Sequence, residues 1–122
     1  MDIKRGDLFV AALDPTVGRE ISKTRPVLIV SNDQNNRFSA TVTILPITSG
    51  SLDKIYPFEI LLPAGTGNLP KASKIKADQI RTLDKTRLLM RIGGLGNPGM
   101  RLAEKAIAVH LALSPDPVSD QE

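Results

Sequence analysis

The sequence predicts a mainly β fold: a small, strongly bent antiparallel barrel of the SH3-like kind with one helix at its C-terminal end. Three observations lead there. Six short apolar or β-branched segments follow one another without the strand–helix–strand rhythm of a parallel sheet. The one stretch with sustained helical periodicity comes last, after Gly93-Gly94. The chain has 122 residues, enough for a single compact core and too few for a second. Residues 1–113 therefore read as one domain, and 114–122 (SPDPVSDQE), with three acids and no base, as a disordered acidic tail.

Leu8 to Leu13 is an apolar run between Gly6-Asp7 and Asp14-Pro15, too short for a helix and suited to a buried strand. The polar, aperiodic stretch TVGREISKTR that follows reads as a loop of about ten residues, long enough to suggest function. Pro26 introduces the second strand, VLIVS, at the position where a missing N–H harms a ladder least. Asn32 to Asn36 is turn chemistry or one helical turn. Ala40 to Ile47 is the third strand, with Pro46 marking an edge or a bulge. A hairpin-like link from Thr48 to Ile55 leads to the fourth, Tyr56 to Leu62.

Pro63 to Pro70 holds two Gly and two Pro and is a mobile loop. Ala72 to Ala77 is a weak fifth strand and Leu88 to Ile92 a sixth; DQIRTLDKTR between them is too polar for a core strand. Asn97 then offers an N-cap and Pro98 the first helical position of a helix running to about Leu113. Leu102, Ala106, Val109 and Leu113, widened by Ala103, Ile107 and His110, form one apolar stripe expected to pack on the sheet.

Composition removes many chemistries. There is no cysteine, which excludes disulfides, thiolate metal sites and a cysteine nucleophile. The single histidine, His110, lies on the helical stripe, where an imidazole is usually a packed or helix-end residue. The acids are scattered, no spacing resembles a metal loop, and no phosphate-loop or dinucleotide fingerprint exists. Mean hydropathy is -0.06 and no apolar run approaches the roughly 20 residues of a membrane span. MDIKRGDLFV lacks the apolar region of a secretory signal, so a cytoplasmic protein is expected. Net charge is +3, but Lys71 to Arg91 alone carries seven bases against two acids. That run is either a solvated face or a surface for a polyanion.

What remains is Arg25, held extended by Pro26 at the mouth of the second strand, and Thr48, closing the third. Antiparallel neighbouring strands would set the two at opposite ends, whereas a bent barrel would bring them together. As a pair they suit a phosphodiester, since a guanidinium forks onto phosphate oxygens and a hydroxyl adds one more bond. The plainer reading is that Arg25 binds Glu20 or Asp14 in its own loop and Thr48 caps a turn.

Five collinear pieces weigh against the plainer reading. They are Arg5-Gly6-Asp7; Leu13-Asp14-Pro15-Thr16 with Gly18 and Glu20; Thr24-Arg25-Pro26-Val27-Leu28-Ile29-Val30-Ser31-Asn32-Asp33; Asn36-Arg37-Phe38; and Pro46-Ile47-Thr48-Ser49. In this order and spacing they resemble the MazF/PemK family of toxin endoribonucleases, and Asp78-Gln79-Ile80-Arg81-Thr82-Leu83-Asp84-Lys85 with Arg87-Leu88 is similar to that family's second signature. The resemblance spans residues 4 to about 113 and implies the MazF-type barrel, a homodimer, and cofactor- and metal-independent cleavage of single-stranded mRNA. It also implies neutralisation by a cognate, MazE-like antitoxin whose C-terminal segment occupies the same groove; the positive field of Lys71 to Arg91 leads us to expect that segment to be acidic and initially disordered.

Residue by residue, the resemblance makes Arg25 and Thr48 catalytic, with Glu20 assisting. Asp78 and Gln79 would line the groove, and Arg19, Ser31, Asn32, Asn36, Lys76, Arg81 and Arg87 join them as expected RNA-binding residues. Two positions depart from the pattern: Arg19 stands where one branch has His, and Val10 where many members carry an aromatic. Cleavage without a metal needs the RNA's own 2′-OH as nucleophile, so the protein must stabilise a phosphorane and move two protons. Arg25 suits the first task; because an arginine is effectively always protonated, Glu20 is the easier base, with Thr48 an oxyanion donor. With Phe9 and Phe58 in the core, base reading would fall to polar loops. The alternatives are a CcdB-like gyrase-poisoning toxin, disfavoured because the tail has no Trp, and a non-catalytic barrel that binds RNA or peptide.

Overall fold

The computed structural model describes residues 1–113, so the acidic tail lies outside the described residues. Seven strands and two α-helices follow in the order β1 (Asp7–Ala12), β2 (Thr24–Ile29), α1 (Asp33–Phe38), β3 (Thr41–Thr48), β4 (Glu59–Leu62), β5 (Ser73–Lys76), β6 (Arg81–Asp84), β7 (Leu88–Gly94) and α2 (Asn97–Leu111). All pairings are antiparallel, in the order β4-β5-β3-β2-β1-β7, with β6 also on β3. The sheet curls without closing, since the path ends at β4 and β7.

Near-continuous apolar runs make these strands because both sheet faces are buried. Side chains alternate between faces, so Leu8, Leu28, Leu45 and Ile47 join one cluster and Phe9, Val27, Ile29 and Ile44 the other. The first cluster is covered by Met100, Ala103 and Ala106 of α2. The second, with Phe9 fully buried, is enclosed mainly by the curl of the strands themselves. Phe9→Ala would cost about 3–5 kcal/mol.

Several expectations are corrected. β3 is not an edge: it pairs with β2 on one side and with both β6 (Thr41 to Ile44) and β5 (Ile47, Thr48) on the other. Pro46 is tolerated because it falls in the gap between those two partners. The chain from Thr48 to Glu59 is no hairpin, since β5 lies between β3 and β4. The polar stretch 78–87 contains the strand β6, where Leu83 alone is buried while Thr82 and Asp84 face solvent. One apolar residue gave too little alternation to read. Residues 63–70 are tied down: Leu69 is buried, Asn68 Nδ2 donates to the Ile92 carbonyl at 3.1 Å, and Gly67 lies so close to Gly93 that a Cβ on Gly93 would sit 2.3 Å from the Gly67 oxygen.

On α2 the cap is Gly96 rather than Asn97, and the buried face is Met100, Ala103 and Ala106. Leu102, Val109 and Leu113 of the expected stripe remain about half exposed, while its small members Ala103 and Ala106 pack on the sheet together with Met100.

Candidate active site

Strand register assembles the site. β2 and β3 pair as Val27 with Pro46, Leu28 with Leu45 and Ile29 with Ile44, so each step toward the start of β2 is a step toward the end of β3. Two further steps set Arg25 opposite Thr48. The expectation that antiparallel neighbours would hold these residues apart is therefore reversed: antiparallel pairing is what joins them. Arg25 Nη1 donates to Thr48 Oγ1 at 3.4 Å, a long bond, while Arg25 Nε is held by the Ser22 carbonyl at 2.7 Å. Thr48 Oγ1 also accepts from the Gly50 amide at 3.2 Å. With both acceptor positions engaged, the hydroxyl proton is left to donate to a further acceptor.

Arg25 faces a cavity of about 350 Å³ lined by Lys23, Ser49, Lys71 and Ser73 above Ile47 and Leu69. The sequence reading missed Lys23, Lys71 and Ser73. Lys71 was counted in the basic run but not singled out, and Ser73 becomes visible only through the pairing of β5 with β3. Lys23 adopts a left-handed φ of 72°, a conformation lysine rarely takes and one that accumulates at working sites.

The loop between β1 and β2 borders this cavity and is clamped from below by the second signature. Gln79 accepts from the Ile21 amide at 3.3 Å and donates to the Arg19 carbonyl at 3.4 Å. Arg81 donates to the Leu13 carbonyl at 3.2 Å, and Arg87 to the carbonyls of Ala12 and Asp14. Gln79, Arg81 and Arg87 are thus committed to holding the loop. Arg19 and Glu20 stand exposed on it. The Glu20 carboxylate accepts from the Val17 amide at 2.6 Å, so the structure does not bring it to the Arg25–Thr48 pair.

Ser31, Asn32 and Asn36 are not brought together with Arg25 either. Ser31 follows β2 at the far end from Arg25, about 20 Å away along an extended strand. Asn32 caps α1 by accepting from the Asn35 amide, and Asn36, 2% exposed, spends its side chain on Ser31 and Asp33. These polar side chains serve a local network around the buried Asn36, which their residue types alone could not reveal. Lys76 pairs with Glu59 at 2.6 Å and stands 3.7 Å from Asp78, one of whose oxygens is buried without a hydrogen bond. Phe58 is half-buried and stacks on exposed Tyr56 at 5.4 Å rather than sitting fully in the core. His110 is exposed in the last turn of α2. Among the described residues no group of three His, Asp or Glu side chains is placed to hold a metal ion, and no helix is long and apolar enough to cross a membrane.

Comparison with known proteins gives this geometry its family. The model of the PemK-like, MazF-like toxin of type II toxin–antitoxin systems matches residues 4–111. Endoribonuclease EndoA of Bacillus subtilis is 38% identical over 113 residues, which cover 93% of this chain and 97% of that one. Among solved structures, MazF of Deinococcus radiodurans superposes with a TM-score of 0.79 at 26% identity, covering 92% of this chain and 98% of that one. A MazE–MazF structure from the same organism gives a TM-score of 0.74 at 25% identity, covering 93% and 99%. These matches lend no support to the gyrase-poisoning alternative. With both signatures in place and the Arg25–Thr48 pair assembled by strand register, the chain belongs to the PemK-like, MazF-like family of type II toxins.

Proposed function

We propose that this toxin is an endoribonuclease that cleaves single-stranded RNA at the Arg25–Thr48 pair, using the substrate's own 2′-OH. The observation that carries this is a clamped guanidinium on the cavity wall, in hydrogen-bond reach of the Thr48 hydroxyl and with Lys23 and Lys71 beside it. A phosphate seated there receives charge-assisted hydrogen bonds from Arg25 and a hydroxyl bond from Thr48. As the 2′-oxygen attacks phosphorus, negative charge grows on the two non-bridging oxygens, and fixed donors stabilise it more than the ground state. The P–O5′ bond breaks and the leaving 5′-oxygen takes a proton from solvent water, leaving a 2′,3′-cyclic phosphate and a 5′-hydroxyl.

We assign Glu20 to take the 2′-OH proton. In the free protein its carboxylate is turned onto the Val17 amide, so RNA binding must exchange that bond. The test is cleavage of a long single-stranded RNA in excess EDTA by wild type, Arg25→Ala and Thr48→Ala. Both variants lose cleavage by about 10²-fold or more while keeping their fold; unchanged cleavage by both would move the site elsewhere. An oligonucleotide with a single 2′-deoxy nucleotide at the scissile position binds within a few-fold of the all-ribose one and stays intact, because phosphate contacts do not need the 2′-OH.

The chain also pairs with itself and with an antitoxin in this reading. Leu102 and Val109 of α2, Leu113 just beyond it and Leu61 on the edge strand β4 are each about half exposed, an apolar surface suited to a second copy. Sedimentation at micromolar concentration reports a dimer, and Leu102→Glu shifts it toward monomer. The MazE–MazF structure of a relative supports an antitoxin partner; in this reading its acidic segment competes with RNA for the cavity.

A further inference from the structure

Glu59, Lys74 and Lys76 form a buried charge cluster that the reaction just described does not use. The Glu59 side chain is fully buried and that of Lys74 is 4% exposed. Lys74 Nζ donates to Glu59 Oε1 at 3.1 Å, to the Ser51 carbonyl at 2.8 Å and to the Lys54 carbonyl at 3.2 Å. Glu59 takes Lys76 on its other oxygen and the Tyr56 amide on the first. Charges so deeply buried are costly, and apolar side chains of equal volume would often give as stable a core. What they provide is direction: two of the three Lys74 bonds reach carbonyls of the segment that follows Thr48.

That segment is the turn that sets the Thr48 hydroxyl. Lys74 is the direct cross-strand partner of Thr48 in the β3–β5 ladder. Ser51 holds a left-handed φ of 53°, which a serine relinquishes unless its surroundings fix it. Between them the Gly50 amide donates to Thr48 Oγ1, a bond that occupies one acceptor position of the hydroxyl and so limits where its proton can turn. We propose that Lys74 is a positioning residue for the reaction: its buried ammonium, seated on Glu59, locks the turn at Gly50-Ser51 and through it the direction of the Thr48 hydroxyl. This rests on the assignment of Thr48 to the scissile phosphate.

The test combines kinetics with the rotamer of Thr48. A ribo-oligonucleotide carrying the cut site mapped on a long single-stranded RNA is cleaved in EDTA under single-turnover and steady-state conditions by wild type, Lys74→Met, Thr48→Ala and the double variant Lys74→Met/Thr48→Ala. Lys74→Met lowers kcat tenfold or more and changes KM less than threefold, because Arg25 and the cavity lysines still bind phosphate. In the Thr48→Ala background the same substitution costs less than twofold, since its route of action is already gone. Three-bond couplings of Thr48 report one χ1 rotamer in wild type and averaging in Lys74→Met. Should Lys74→Met fail to fold, Lys74→Met/Glu59→Gln removes the carboxylate charge as well and carries the same comparison.

Wild-type kcat in Lys74→Met, full additivity with Thr48→Ala, or an unchanged single rotamer each overturns the proposal. A wild type that cleaves no RNA overturns the endoribonuclease reading and the catalytic part of this one, while the couplings still decide whether Lys74 orders the turn.

Discussion

Two groups of cations in this molecule are used in opposite ways. The run from Lys71 to Arg91 is the most basic stretch of the sequence, yet six of its seven bases are engaged within the protein. Lys74 and Lys76 sit on Glu59, Arg81 on the Leu13 carbonyl, Lys85 on the Asn36 carbonyl, Arg87 on Ala12 and Asp14, and Arg91 on Asp7. The second group, Lys23, Arg25 and Lys71, is sparse in sequence but converges on one cavity. A base spent on a buried carbonyl is a structural clamp with a charge attached; a base at a cavity mouth is a binding group. Counting charge along the chain cannot tell them apart, because the distinction lies in where the fold places them: Arg25 also donates to Ser22 and Thr48, but it does so on a cavity wall.

Substitution separates the two groups most sharply at Arg25. Arg25→Ala lowers kcat/KM by about 10²- to 10³-fold with little change in thermal midpoint, as removal of an oxyanion donor does. Arg87→Ala has the reverse signature: unfolding in urea shows a loss of about 1.5–3 kcal/mol, because it strips charged donors from the carbonyls of Ala12 and Asp14, while kcat at saturating RNA falls less than tenfold. Arg87→Ala that weakens RNA binding at unchanged stability would return the basic run to the binding surface.

A smaller effect follows from pH. Burial alone would raise the Glu59 carboxyl, but hydrogen bonds from Lys76, the Tyr56 amide and Lys74 outweigh it and hold the group below its ordinary 4.5. A carboxylate depressed on folding contributes stability that is fully present above the unfolded value and is lost as pH falls through the folded one. The urea midpoint of wild type therefore drops as pH is lowered from about 5 toward 3, and Glu59→Gln flattens that drop. Equal slopes in the two proteins would place the acid sensitivity elsewhere.

The mildest expected changes are at the cavity lysines and the α1 cap. Lys23→Ala and Lys71→Ala each weaken RNA binding several-fold and reduce the slope of log K against log salt by about 0.7, the value for one phosphate on a single strand. Asn32→Ala costs about 1 kcal/mol of stability through the lost cap and leaves cleavage untouched.

The sequence by itself determined the β architecture and the terminal helix, and it brought Arg25 and Thr48 forward as candidates. Apolar runs of strand length punctuated by Gly and Pro permit little else, and Arg25 and Thr48 sit in motifs whose spacing is specific. It did not determine partners in space. That Arg25 meets Thr48 follows from the register of β2 on β3, which is set by hydrophobic side chains two to four residues away from either. Strand β6 was hidden because one buried leucine amid polar neighbours carries almost no periodic signal, and its place on β3 is a long-range pairing.

The same limit explains why Lys76, Gln79, Arg81 and Arg87 read as RNA-facing and Ser31, Asn32 and Asn36 as site residues. Their residue types suit a phosphate, but only the fold shows that carbonyls, amides and a buried carboxylate already engage them. Local chemistry is written in the chain, whereas the satisfaction of a donor is a property of distance, and distance between residues far apart in sequence exists only once the sheet has formed.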